Sequence, residues 1–149
     1  ALLIINDHAD LAVAVGAGGL HVGQRDLPVA EARMVLYPWQ LVGRSNNTVE
    51  EAVLSEAQEA DHVAVGPIYP TTTKDTGKPL VRLETLRQVK EKVSVPVVAI
   101  GGIDESNIGP VVLAGADAVC VASAVGLAVD PLEATRRLVS AMADAGGKV

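Results

Sequence analysis

Ile4-Ile5-Asn6-Asp7-His8 decides the fold of this 149-residue chain. The aliphatic pair reads as the end of a buried strand, because β-branched side chains fit a pleated, packed surface. A dinucleotide-binding sheet would leave its first strand through G-x-G-x-x-G, so that bare backbone could approach a pyrophosphate. Asn6-Asp7-His8 supplies none of those glycines. The aliphatic pair ends a run over residues 2–5, and five more short aliphatic runs occupy 20–22, 41–43, 62–65, 97–100 and 118–121. Most lack polar alternation, which predicts strands of a parallel sheet covered on both faces.

Helix-period segments lie between the runs. Thr48 with Glu51 is a capping-box pattern. Leu83, Leu86 and Val89 form one apolar stripe, with Arg87, Lys90 and Lys92 toward its C-terminal end, where the helix dipole favours cations. Pro131 suits a first helical turn. Ala17-Gly18-Gly19-Leu20-His21-Val22 echoes Ala114-Gly115-Ala116-Asp117-Ala118-Val119, and Glu59-Ala60-Asp61-His62-Val63 is a weaker copy. Each reads as a helix end, a turn and a strand start, with glycine at the left-handed position after the helix in two of them. Strand starts recur at roughly 20 residues, the length of one βα unit. The longer gap between the fourth and fifth runs, with Pro67, Pro70 and Pro79, predicts a functional loop.

Every strand end carries polar or glycine residues: Asn6-Asp7, Gly23-Gln24-Arg25-Asp26, Gly43-Arg44-Ser45, Gly66 leading to Thr71, Thr73 and Lys74, Gly101-Gly102, and Ala122-Ser123. Loops converging on one face point to a TIM-type (βα) barrel with its chemistry at the carboxyl ends of the strands. A full barrel has eight units. The six here predict one partial barrel domain over residues 1–149 that lacks the first two units, and the start at Ala1 without Met agrees with removal of something upstream.

Composition excludes several other classes. Apolar residues make up 49 %, aromatics only 2 %, and Phe is absent, so no stacking platform for single-stranded nucleic acid is available. With a net charge of −6 and no basic cluster, the chain is a poor polyanion binder. The one cysteine, Cys120, lies in an apolar run and reads as a small buried hydrophobe, and a disulfide scaffold is excluded. The apolar runs are too short to span a bilayer, and no basic leader precedes them. The expected location is the cytoplasm.

Gly101-Gly102 lets backbone N–H groups approach an anion, and Ser123 adds a hydroxyl one unit later, at the loops where barrels bind phosphate. The helix after Ser123 is expected to add its positive N-terminus. A side chain on Gly102 would either point at the anion or forbid the backbone angle that aims the N–H. Asp7 and Asp26 follow neighbouring strands and can share a Mg²⁺, which takes one or two carboxylates with waters and phosphate oxygens. The alternative is that Asp7 caps a helix and Asp26 closes a turn before Pro28. Thr71, Thr72, Thr73 and Lys74 offer hydroxyls and a cation, or else a solvated loop. His8, His21 and His62 show no metal spacing and read as ordinary surface or core residues, and no Ser-His-Asp or Cys-His arrangement can be read.

Together these residues resemble the thiamine phosphate synthase family. The motifs that carry the resemblance are Ile4-Ile5-Asn6-Asp7, His21-Val22-Gly23-Gln24-Arg25-Asp26-Leu27-Pro28, Gly66-Pro67-Ile68-Tyr69-Pro70-Thr71-Thr72-Thr73-Lys74 and Val97-Val98-Ala99-Ile100-Gly101-Gly102-Ile103. That family joins hydroxymethylpyrimidine diphosphate to thiazole phosphate and releases pyrophosphate. The resemblance implies Asp7 and Asp26 as Mg²⁺ ligands. It implies Asn6, Ser45 and Lys74 as contacts of the pyrimidine diphosphate, with Lys74 and Ser45 in catalytic roles. Thr71, Thr73, Gly102, Ala122 and Ser123 match positions that hold the thiazole phosphate.

This sequence also departs from the family. Asn47 stands where many members have His, and Arg82 lies near a usual glycine. A Gln-x-Arg-x-Lys strand that grips the diphosphate has no counterpart here. The 149 residues alone are therefore expected to be inactive, and their open sheet edges to favour a homo-oligomer. Two alternatives are a thiazole tautomerase, against which Gly66-Pro67 and the threonine loop argue, and a non-catalytic phosphate-binding barrel.

Overall fold

The computed structural model describes residues 1–73, 77 and 79–147. Among these, six strands form one sheet: β1 (Ile4–Asn6), β2 (Gly19–Val22), β3 (Leu41–Asn46), β4 (His62–Val65), β5 (Val97–Ile100) and β6 (Ala118–Cys120). The helices are α1 (Ala9–Ala14), α2 (Val29–Val35), α3 (Val49–Ala57), α4 (Leu83–Lys92), α5 (Ile108–Leu113), α6 (Ser123–Gly126) and α7 (Pro131–Asp144). Strand order in the sheet is the order in the chain, and every neighbouring pair is parallel. A doubly wound sheet reverses its order at a switch point and takes helices on both faces. Without a reversal, right-handed crossovers carry the helices to one face. The sheet curls into a half-barrel of the TIM-like kind.

The outward strand residues build the core. Leu20, Val22 and Val42 pack with Ala12, Val29, Ala32 and Leu36, while Val63, Val65, Val97 and Ala99 pack with Leu86, Val89, Ile108 and Val111. The intervening residues, among them Asn6, His21, Gly43, Ser45, His62 and Ile100, lie on the concave face. Apart from Arg44 and Asn46 of β3, the strands are thus apolar outward and mixed inward. Small and aliphatic inward residues such as Ala64, Val98 and Ala118 disguise this alternation in the sequence.

Local signals set the element ends. The Glu51 N–H donates to Thr48 Oγ1 at 3.2 Å, which caps α3 as its pattern predicts. The Glu51 carboxylate accepts from the Asn47 N–H at 2.6 Å, one residue outside the reciprocal bond of a capping box. The residue in the left-handed region after the helix is Gly16 (φ +61°) in the first echo, Glu59 (φ +69°) in the second and Gly115 (φ +100°) in the third. The first echo is therefore shifted by two residues from its sequence reading, with Gly16 in the role expected of Gly18. Asp61 and Asp117 then do equivalent work at the strand starts. Asp61 accepts from the Val42 N–H at 2.6 Å and pairs with Arg33. Asp117 accepts from the Val97 N–H at 2.8 Å and pairs with Lys90 at 2.7 Å. Each carboxylate ties the next unit to its neighbouring strand, which fixes the register that brings the loops to one end.

Candidate active site

The loops after the strands enclose a cavity of about 530 Å³. It is lined by Asn6 at the end of β1 and Asp7 after it, Asp26 after β2, Ser45 on β3, Thr71 and Thr73 after β4, Gly102 after β5, and Ala122 and Ser123 after β6. These are the sequence-derived site residues except Lys74, which lies outside the described residues. They fall in strand order: Asn6, Asp7, Asp26 and Ser45 lie at or just after the carboxyl ends of the first three strands, and the five associated with the second phosphate follow the last three.

Asp7 leaves β1 at φ +65°, a left-handed conformation that few residue types other than glycine, chiefly Asn and Asp, adopt readily. Its N–H donates to the His21 carbonyl at 2.8 Å, and the His8 N–H folds back on the Asn6 carbonyl at 2.8 Å. His8, not Asp7, stands at the N-cap of α1, and no side chain caps that helix. The capping alternative for Asp7 therefore fails. Asp26 does close its turn, accepting from the Gly23 N–H at 2.7 Å through Oδ2. One carboxylate on each of two neighbouring loops suits a hard divalent cation such as Mg²⁺. Among the described residues no group of three or more His, Cys, Asp or Glu side chains is gathered for a metal, so substrate phosphate and water would complete its shell.

The second half is a pair of interlocked loops. The Ile68 and Tyr69 N–H groups donate to the Ile100 and Gly101 carbonyls, both at 3.0 Å, and Asn107 Nδ2 donates to the Gly102 carbonyl at 2.9 Å. Gly101 and Gly102 have φ of +100° and +63°. A Cβ on Gly102 would run into the Pro70 carbonyl oxygen and the Tyr69 backbone. The glycine is required by backbone angle and by close loop packing, and the expectation that its Cβ would point at an anion is corrected. The Thr73 N–H donates to Thr71 Oγ1 at 3.2 Å, which leaves the Thr71 hydroxyl proton for another acceptor. Ala122 and Ser123 open α6, a helix of four residues. So short a helix offers free N–H groups rather than the macrodipole expected from the sequence.

Two other readings change. Cys120 is exposed and lines the cavity instead of being buried, although neighbouring atoms desolvate its thiol enough to raise its pKa. His21, read as an ordinary histidine, also lines the cavity and bonds Ser45 Oγ through Nε2 at 2.9 Å. Gln24 Nε2 donates to the Ser45 carbonyl, and Arg25 brings a cation to the same wall. Strand alternation was the available signal for His21: it lies between Leu20 and Val22, which both face the helices.

A singly wound half-barrel that gathers glycine, threonine and serine loops and a pair of carboxylates at the carboxyl ends of its strands has the form of a TIM-like βα fold. The family profile for thiamine monophosphate synthase matches residues 1–125. The thiamine-phosphate synthase of Shouchella clausii is 45 % identical over 142 residues, 95 % of this chain and 68 % of that protein. The Moorella thermoacetica enzyme of the same name is 46 % identical over 149 residues, covering 99 % of this chain and 70 % of that one. A Pyrococcus furiosus thiamine phosphate pyrophosphorylase structure superposes with a TM-score of 0.90 at 36 % identity, over 99 % of this chain and 70 % of that one. The chain spans about two thirds of the length of such relatives. It belongs to the thiamine monophosphate synthase family, and its enzyme class is that family's, a transferase of thiamine biosynthesis.

Proposed function

We propose that these residues form the two-substrate site in which a hydroxymethylpyrimidine diphosphate alkylates a thiazole phosphate. The supporting observation is the order of the cavity wall: the carboxylates, Asn6 and Ser45 lie at the carboxyl ends of β1 to β3, and hydroxyl and glycine loops follow β4 to β6. On this reading Asn6, Ser45 and Lys74 hold the pyrimidine diphosphate. Thr71, Thr73, Gly102, Ala122 and Ser123 hold the thiazole phosphate.

The carbon–oxygen bond to the diphosphate breaks and its electron pair leaves with the diphosphate. The electron-rich aminopyrimidine stabilises the cation that remains. The thiazole nitrogen then supplies its lone pair to the new carbon–nitrogen bond, giving thiamine phosphate and pyrophosphate. That nitrogen is already a neutral nucleophile, so no general base is needed. Lys74 stabilises charge developing on the leaving group, usually the dominant effect in such a site. Asp7 and Asp26 would hold a Mg²⁺, whose chemistry when bound is neutralisation of diphosphate charge.

The six units are six of the eight of a barrel. The complete enzyme is cytoplasmic and acts on small phosphorylated molecules, not on nucleic acid or a membrane. Among the described residues no helix is long and apolar enough to cross a membrane. The 149 residues purified alone are expected to give no thiamine phosphate, because no Gln-x-Arg-x-Lys pattern stands among them to grip the diphosphate, and turnover by this chain would contradict that.

Ser123→Ala in the complete enzyme tests the placement of the two substrates. One hydrogen bond to a charged oxygen contributes about 1.5–3 kcal/mol, so the KM for thiazole phosphate should rise roughly tenfold or more. The KM for the pyrimidine diphosphate should barely move. Equal effects on both, or an effect on the pyrimidine alone, would place the phosphates in the wrong halves.

A further inference from the structure

We propose that His62 is a positioning residue that acts through His21 to fix how the Ser45 hydroxyl faces the pyrimidine substrate. The inference rests on the reading of Ser45 as a contact of that substrate. Its own basis is a row of residues in register across four strands: Asn6, His21, Gly43 and His62. The first is at the cavity mouth and the last is two strands beyond His21.

Gly43 makes the row work. A Cβ there would lie 2.7 Å from His21 Nδ1 and closer still to His62 Nε2. Its bare backbone lets the two imidazoles meet across β3, stacked with centroids 5.4 Å apart and planes at 28°. His21 Nδ1 and His62 Nε2 are 3.3 Å apart, and His21 Nε2 is 2.9 Å from Ser45 Oγ. The two histidines and the serine therefore form one unbroken chain of hydrogen bonds that ends in the cavity.

A neutral imidazole has one donor nitrogen and one acceptor nitrogen. Each link in the chain holds a single proton, so the His62 tautomer dictates the His21 tautomer. That in turn dictates whether Ser45 donates to His21 and presents lone pairs to the cavity, or accepts from His21 and presents its proton. Burial pushes the His62 pKa below its ordinary value, against a smaller opposing effect of Asp61. His62 is accordingly neutral at neutral pH and able to set this direction. An aminopyrimidine carries both amino donors and ring-nitrogen acceptors, so a hydroxyl of fixed direction selects one register of the ring. With His62 replaced by an apolar residue, that constraint on His21 is lost.

The test uses the complete enzyme, with each substrate varied separately. His62→Phe keeps a ring over Gly43 but removes both nitrogens. It should raise the KM for the pyrimidine diphosphate about three- to tenfold, the loss expected for one oriented hydrogen bond. The KM for thiazole phosphate should stay within about twofold, and His62→Gln, which restores a polar atom near the Nε2 position, should recover most of the loss. In a Ser45→Ala background His62→Phe should have no further effect, because both act through the same hydroxyl. A His62→Phe effect that persists without the Ser45 hydroxyl, or that falls equally on both substrates, would overturn the inference. If Ser45→Ala raises the pyrimidine KM while His62→Phe is silent, this inference alone fails. If Ser45→Ala is itself silent, the Ser45 assignment fails and takes this inference with it. Imidazole ¹⁵N spectra of the unsubstituted protein give a second readout that needs no variant to fold: His21 in a single neutral tautomer supports the relay, and His21 averaging between tautomers overturns it.

Discussion

Asp7→Asn is expected to abolish most Mg²⁺-dependent turnover of the complete enzyme, by roughly a hundred- to a thousandfold, the usual cost of removing one preorganised electrostatic group. The unfolding midpoint should hardly change. Asp7 sits at a strand mouth outside both core clusters, and Asn tolerates the left-handed backbone that Asp7 adopts at φ +65° as well as Asp does. The hydrogen bond that shapes this turn comes from the Asp7 backbone N–H and survives the substitution. Asp26→Asn should impair turnover similarly. It also weakens the charge-assisted bond from the Gly23 N–H, so a stability loss of about 1 kcal/mol accompanies it. The double change should cost less than the sum, because both carboxylates act through one ion. Turnover assays against Mg²⁺ concentration, paired with urea unfolding, check these points. If Asp7→Asn unfolds the protein, or leaves turnover intact, the ligand assignment is wrong.

The second large effect is expected at Gly102. Alanine there must adopt φ +63°, which costs about 1–2 kcal/mol in the left-handed region. Its Cβ also meets the Pro70 carbonyl oxygen and the Tyr69 backbone, which cannot swing aside as a flexible side chain could. The Tyr69 N–H is bonded to Gly101 and the Gly102 carbonyl to Asn107, so the two loops move together or not at all. Overpacking of this kind adds about 1–3 kcal/mol. Gly102→Ala should therefore destabilise the protein by roughly 2–5 kcal/mol and raise the KM for thiazole phosphate well beyond the Ser123→Ala effect. Urea unfolding and substrate kinetics measure the two parts. Gly102→Ala with an unmoved midpoint and unmoved KM would remove the structural argument for this glycine.

Most of the fold was legible because its signals are local. The runs at 62–65 and 97–100 coincide with β4 and β5, since each is a β-branched run bounded by turn residues. The run at 41–43 falls short of β3, which continues to Asn46. Arg44, Ser45 and Asn46 look like loop residues in the sequence, but Arg44 reaches Gln58 and Asn46 accepts from Ser55, both on the helix side. Tertiary partners thus extend a strand whose composition argues against it. That the candidate residues other than Lys74 line one cavity was legible because barrel loops collect at strand ends. What escaped was the contact between His21 and His62, 41 residues apart in the chain. Nothing in either local stretch announces it, because it depends on the register of three strands and on a glycine between two rings. The shift of the first echo from Gly18 to Gly16 has a similar cause, as adjacent glycines leave the turn position ambiguous until strand pairing fixes it.

The central claim is that this cavity brings a pyrimidine diphosphate and a thiazole phosphate together on opposite sides. The most direct measurement is product formation by the complete enzyme with both purified substrates and Mg²⁺, following thiamine phosphate and pyrophosphate in the same reaction. The account predicts the two products in equal amounts, with none when either substrate is left out. Pyrophosphate released without thiamine phosphate, or no product with both substrates at saturation, would contradict it.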